Sequence, residues 1–92
     1  MSSMPTRFRS SPDAVATRVG DEIVLVDLKT DQIYSLNRTA ARIWELTCDG
    51  CDRAEVERRM LEEFDVTPAE LAEAIDALVA SMTRGGLLVR SP

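Results

Sequence analysis

Apolar residues along this chain follow the twofold alternation of strands as far as Asn37 and the 3.6-residue period of helices beyond it. Ahead of Asn37, Ile23-Val24-Leu25-Val26-Asp27-Leu28 is β-branched and nearly continuous, which predicts a mostly buried central strand. Lys29 to Gln32 supplies a polar turn without Gly or Pro. Ile33-Tyr34-Ser35-Leu36 then alternates over the short length usual for an edge strand. A weaker alternation from Ala14 to Val19, closed by Gly20-Asp21, predicts a first strand. Residues 1–13 are rich in Ser, Pro and Arg and poor in core-forming side chains; they read as a flexible N-terminal arm, with residues 14–90 as the domain.

After Asn37, a good N-cap, Ala40, Ile43, Trp44 and Thr47 recur at helical spacing. Trp44 is the only tryptophan and reads as a core anchor, since it lies on that apolar stripe. Cys48-Asp49-Gly50-Cys51 ends the helix. Asp52 with Glu55 forms a capping box that opens a second helix to about Phe64, with Val56, Met60, Leu61 and Phe64 as its apolar positions. At Thr67-Pro68-Ala69-Glu70 the start signals coincide: Thr at the N-cap, Pro in the first turn and Glu three residues on. The third helix is expected to run to about Arg84 with Leu71, Ile75, Leu78, Val79 and Met82 inward. Gly85 stands where a left-handed cap is expected, and Leu87-Leu88-Val89 is an apolar tail that packs back on the core. The prediction is an α+β domain, a three-stranded antiparallel sheet followed by three helices, resembling a winged helix-turn-helix.

Composition narrows the function. Ninety-two residues with 45% hydrophobic content make one small domain with little room for a deep pocket beside its core. No apolar run reaches the roughly 18 residues of a membrane span. No basic segment leads into an apolar one at the N-terminus, so a cytoplasmic location is expected. Histidine is absent, which removes the commonest general base and metal ligand. The net charge is −5 and uneven. Residues 45–76 hold eleven carboxylates against three arginines, whereas residues 1–20 carry +2. A nucleic-acid partner is disfavoured: between Thr67 and Thr83 there is no Arg, Lys, Asn or Gln to read base edges, and Glu70, Glu73 and Asp76 would repel phosphate.

The Cys48-x-x-Cys51 pair is the sharpest catalytic-looking motif. A structural zinc site needs four ligands, and this chain offers two thiols and no imidazole. The redox form of the motif normally follows a strand, whereas this one joins two helices. Two reduced loop thiols are therefore expected. The chain has no phosphate-binding glycine loop, no nucleophile–base set and no metal-spaced carboxylates, so neither catalysis nor a cofactor is predicted.

A binding surface beside the third helix remains. At about 100° per residue, the flank of Ala72, Asp76, Val79 and Thr83 and the flank of Ala74, Ala77 and Ser81 are both lined by small side chains. Either leaves a groove where another backbone approaches, and the sequence does not decide which of them faces the short strand.

The run from Val26 to Asn37, the Thr39-Ala40-Ala41-Arg42-Ile43-Trp44-Glu45-Leu46 that follows, Phe64-Asp65-Val66-Thr67 and the closing Gly85-Gly86-Leu87-Leu88 together resemble the PqqD-like family. These are recognition elements for ribosomally made, modified peptides. Tyr34-Ser-Leu-Asn37 with Ala41-Arg-Ile-Trp44 makes the chain most like the stand-alone lasso-peptide leader-recognition proteins. The resemblance implies a non-catalytic module that binds the leader of a precursor peptide as an added strand and delivers it to a cysteine-protease leader peptidase and a cyclase. The alternative within the family is a partner of a radical enzyme in pyrroloquinoline quinone synthesis. Carried onto this chain, the strand would be Ile33, Tyr34, Ser35 and Leu36, and the helix flank Ala72, Asp76, Val79, Ala80 and Thr83, with side-chain pockets near Val79 and Tyr34. The open edge also permits a strand-exchanged dimer beside the monomer.

Overall fold

A computed structural model describes residues 7–91. The strands are β1 (Arg7–Ser10), β2 (Ala14–Val19), β3 (Glu22–Asp27), β4 (Gln32–Leu36) and β5 (Leu88–Ser91); the helices, α1 (Arg38–Cys48), α2 (Arg53–Glu63) and α3 (Pro68–Arg84), lie between β4 and β5. The three-stranded antiparallel sheet has the order β2-β3-β4, and a separate antiparallel ribbon joins β1 to β5. The fold is α+β, with the three helices on one side of the three-stranded sheet.

The ribbon corrects the expected arm. Residues 7–10 form a strand in register with the C-terminal segment, Phe8 opposite Arg90 and Ser10 opposite Leu88. The apolar tail is thereby a strand as well. One partly buried phenylalanine, Phe8, is the only large apolar side chain β1 contributes, which is why its sequence reads as an arm. The first six residues of the expected arm lie outside the described residues.

The sheet turns are built by local chemistry. A two-residue turn joins β2 to β3, with Gly20 at φ +66°, where a side chain would be strained. β3 ends at Asp27, one residue before the expected Leu28, and the chain turns on the Asp27 side chain. The buried Asp27 carboxylate accepts from the Lys29 N–H at 3.0 Å and the Thr30 hydroxyl at 3.0 Å, and Asp31 adopts φ +59° to close the loop. Leu28 is left in solvent.

Ile23 and Leu25 on β3 and Leu36 on β4 bury one sheet face against Ala41, Ile43, Trp44 and Leu46 of α1 and Leu71, Ile75, Leu78 and Met82 of α3. Asn37, Asp52 and Thr67 cap the helices as expected, and Thr67 completes its capping box with Glu70. Two expectations are corrected here. Leu61, read as an apolar position of α2, faces outward, whereas Phe64 packs partly buried against the core beneath the Arg38 guanidinium, 4.7 Å from its ring centre. Gly85 is helical at φ −79°, and the left-handed residue is Gly86 at φ +79°.

The ends of α1 and α3 share one design. At α3, the Gly86 N–H donates to Thr83 and the Leu87 N–H to Met82; at α1, the Gly50 N–H donates to Thr47 and the Cys51 N–H to Leu46. Both are Schellman motifs, in which the residue after the left-handed glycine packs on the helix it closes. The C-x-x-C spacing is thus the spacing of a helix end. Cys48 is the last helical residue and Cys51 the apolar plug, buried with Leu46.

Candidate peptide-binding cleft

β4 is an edge strand, so the main-chain groups on its side away from β3 have no ladder partner within the sheet. Beside this edge lies an open cleft of about 580 Å³, lined by residues 33–37 and 39–40 on one side and by Ala74, Ala77, Leu78, Ser81 and Met82 of α3 on the other. Side chains along a strand point alternately to opposite faces, so a cleft lined by five consecutive residues is lined by the strand's edge. The register places Tyr34 and Leu36 on the core face, opposite Leu25 and Ile23, and leaves Ile33 on the outer face, 68% exposed.

The floor of the cleft is Leu36, Leu78 and Met82, all buried, and its far wall is small: Ala74, Ala77 and Ser81. No charged side chain lines it. The Asn37 amide oxygen is already occupied, accepting from Ala40 N–H at 2.9 Å. Tyr34 stands at the C-terminal end of α3 and donates its hydroxyl to Gln32 Oε1 at 2.7 Å. Gly85 makes room for that ring, since a Cβ there would lie 2.9 Å from the Tyr34 hydroxyl oxygen. The glycine at the expected cap position thus serves close approach, while its neighbour supplies the left-handed turn.

The structure brings Ile33, Tyr34, Ser35 and Leu36 together in this cleft and places the expected helix residues elsewhere. Val79 lines two hollows on the opposite side of α3, both with Phe8 and Arg53, and the second also with Asp76, Ala80 and Thr83. The Ala72 carbonyl accepts from Arg53, which also pairs with Asp76. The helix flank beside β4 is therefore Ala74, Ala77 and Ser81, and the expectation that Ala72, Asp76, Val79, Ala80 and Thr83 face that strand is corrected. Both flanks are small, and what separates them is the position of the ribbon, invisible while residues 7–10 read as an arm.

The other sheet edge, β2, is a weaker candidate. The hollow beside it is lined by Arg18, Arg42, Glu45 and Asp49, and Arg18 pairs with Glu45 across it. Charged side chains at an edge discourage an incoming strand.

The two thiols lie at the end of α1, Cys48 half-buried and Cys51 buried. Burial pushes the Cys48 thiol up to about 11, against a hydrogen bond with Ser10 and with Asp49 adding to the rise, so at neutral pH it stays protonated. Both cysteines are free. Among the described residues, no three His, Cys, Asp or Glu side chains gather as metal ligands, and no helix is long and apolar enough to cross a membrane.

Known proteins share this fold. The sequence profile of the family described as Coenzyme PQQ synthesis protein D (PqqD) matches residues 22–88. That span runs from the start of β3 into β5 and holds both walls of the cleft. A solved structure of a lasso peptide synthetase B1 complexed with the leader peptide superposes with a TM-score of 0.80 at 29% identity, over 90% of this chain and 98% of that one. A second, TbiB1 in complex with the TbiA(beta) leader peptide, gives a TM-score of 0.79 at 24% identity, over 87% of this chain and 93% of that one. No curated protein matches the chain.

Proposed function

The chain belongs to the PqqD family, and from that membership we propose that it is a non-catalytic module that binds the leader of a ribosomally made precursor peptide. The observation that carries this reading is the neutral cleft along the free edge of β4. The leader adds as a strand to Ile33–Leu36 and turns alternate side chains toward Leu78, Ala77 and Ser81. The likeness to a lasso peptide synthetase B1 complexed with its leader supports the same mode and favours lasso peptide biosynthesis over pyrroloquinoline quinone synthesis.

Energetics set what the leader must bring. An added strand forms about five main-chain hydrogen bonds worth roughly 0.5–1.5 kcal/mol each, against an association cost of about 4–15 kcal/mol. Backbone pairing alone binds weakly. Apolar leader side chains seated between Tyr34 and Leu78, at about 1.5–3 kcal/mol each, supply the difference and the specificity. The expected affinity is micromolar to nanomolar. With the leader held, the module delivers the precursor to a cysteine-protease leader peptidase and a cyclase in the cytoplasm, acting as a monomer whose edge is also open to strand exchange.

Fluorescence anisotropy with labelled leader peptides from precursors encoded beside the gene tests this reading. Saturable binding in the stated range is expected, and absence of binding to every such leader would overturn it.

A further inference from the structure

The flank of α3 turned away from β4 forms one wall of a second groove, and the β1–β5 ribbon forms the other. A cavity of about 330 Å³ lies between Phe8, Cys51, Val56, Ile75 and Val79. It opens into a shallower hollow lined by Phe8, Val79, Ala80 and Thr83, with Arg53, Asp76 and Arg90 at its margin. The two share Phe8, Arg53 and Val79 and so make one groove with an apolar floor and a rim that holds the Arg53–Asp76 ion pair and an Arg90 unpaired among the described residues.

The charge on the ribbon is unusual for this acidic chain. Of the seven arginines elsewhere, Arg18, Arg38, Arg42, Arg53, Arg58 and Arg59 each pair with a carboxylate, and Arg84 at the end of α3 pairs with none among the described residues. Among the described residues, Arg7, Arg9 and Arg90 of the ribbon pair with none. The register sets Arg90 opposite Phe8 on the groove face, while Arg7 and Arg9 alternate to the outer face. Arg90 thus stands unpaired at the rim of the apolar slot, Arg53 there is matched by Glu57 and Asp76, and Arg7 and Arg9 add positive field from the far face of the ribbon on an otherwise acidic chain.

We propose that this groove docks an acidic, apolar-centred segment of the protein that processes the bound leader. An apolar side chain seats between Phe8 and Val79, a flanking carboxylate meets Arg90, and the outer Arg7 and Arg9 add longer-range attraction. Only the identity of the partner rests on the leader-binding reading; the chemistry of the groove stands apart from it. The groove and the leader cleft occupy opposite flanks of one helix, so both fill at once, and a leader held on β4 is presented beside a docked enzyme. Nucleic acid fits less well, because Asp76 stands in the rim and Glu57 beside Arg53.

The test is a titration of the full ¹⁵N-labelled chain, read as amide shifts. One synthetic probe carries Leu-Phe between Asp-Glu pairs; its counterpart carries Leu-Phe between lysines. The acidic probe is expected to shift Phe8, Val79, Ala80 and Arg90 and to bind about tenfold tighter than the lysine probe. The exposed pair R7E/R90E should reverse that preference, R7Q/R90Q should erase it, and leader binding should be unchanged in both. Equal binding of the two probes, or no shift at the ribbon, would overturn the proposal. So would binding that appears only after residues 1–6 are deleted, dimerisation in place of probe binding, or stronger ribbon shifts from duplex DNA or phosphatidylglycerol vesicles. A leader peptide that fails to shift Ile33–Leu36 would sink the leader-binding reading and leave this one standing.

Discussion

The two flanks of α3 have nearly the same composition and opposite surroundings. Ala74, Ala77 and Ser81 face a strand edge with unpaired main-chain groups and no charge. Ala72, Val79 and Thr83 face Phe8, Arg53 and the ribbon, where an ion pair already spans from Arg53 to Asp76. Small side chains allow a backbone to approach; they do not choose which backbone. On one flank the neighbouring strand β4 leaves its outer edge vacant for a peptide strand. On the other the ribbon is a closed pair packed on the core through Phe8 and Leu88. The difference between a cleft beside a free strand edge and a groove beside a closed ribbon lies in the partner element, not in the helix.

The largest expected contrast comes from placing the same residue on either flank. Ala77→Arg fills the cleft with a long cation and should weaken leader binding about 30-fold, roughly 2 kcal/mol, while the exposed helix position keeps the fold intact. Ala80→Arg, one turn-face away and also exposed, should change leader affinity less than about twofold. Anisotropy on the two variants reads both numbers, and equal losses would erase the distinction between the flanks.

Next in size is Gly85→Ala. Its backbone suits alanine, but the new Cβ displaces the Tyr34 ring at the end of the cleft. Leader affinity should fall about three- to tenfold with little loss of stability, since a half-exposed ring swings aside at small cost. Tyr34→Phe, which removes the contacting oxygen, should restore most of that loss in the double variant. Gly86→Ala makes the complementary case. Its φ of +79° disfavours a side chain whatever the space, so stability should drop by about 1–2 kcal/mol in denaturant melts with leader affinity retained. The smallest effect belongs to Arg42–Glu63, away from both flanks. The hydrogen bond from Arg42 holds the Glu63 carboxyl below its usual range. Its contribution is present above the ordinary carboxylate pKa and is lost as pH falls through the lowered value. For this solvent-screened pair, Glu63→Gln should cost a few tenths of a kcal/mol at pH 7 and nothing in strong acid.

The sequence made the helices legible because their signals are local. Asn37, Asp52 and the Thr67–Glu70 box each fix a helix start from within four residues, and the apolar period names the buried face. β2, β3 and β4 were legible from alternation and turn residues, although the strand read as running to Leu28 ends at Asp27, whose carboxylate accepts two turn hydrogen bonds and leaves Leu28 in the turn. The ribbon was not legible. β1 pairs with a strand some eighty residues away, and neither strand shows a periodicity long enough to read. Missing it also put the wrong flank beside β4, because the ribbon that occupies the Val79 side was out of view. The small residues Ala74, Ala77 and Ser81 were equally visible in the sequence, but only the third dimension sets them beside β4. The cysteine pair shows the reverse, a motif with catalytic spacing that proves to be the spacing of a helix cap.

The central claim is that a leader pairs along β4 against the Ala74–Ala77–Ser81 flank. Backbone amide hydrogen exchange of the full chain with and without saturating leader peptide measures this directly. The account predicts new protection within residues 33–36 and on the Ala74–Ser81 turns of α3, with residues 14–19 of β2 and the ribbon unchanged. Protection that appears on β2, or on the ribbon and Val79 while residues 33–36 exchange as before, would contradict it.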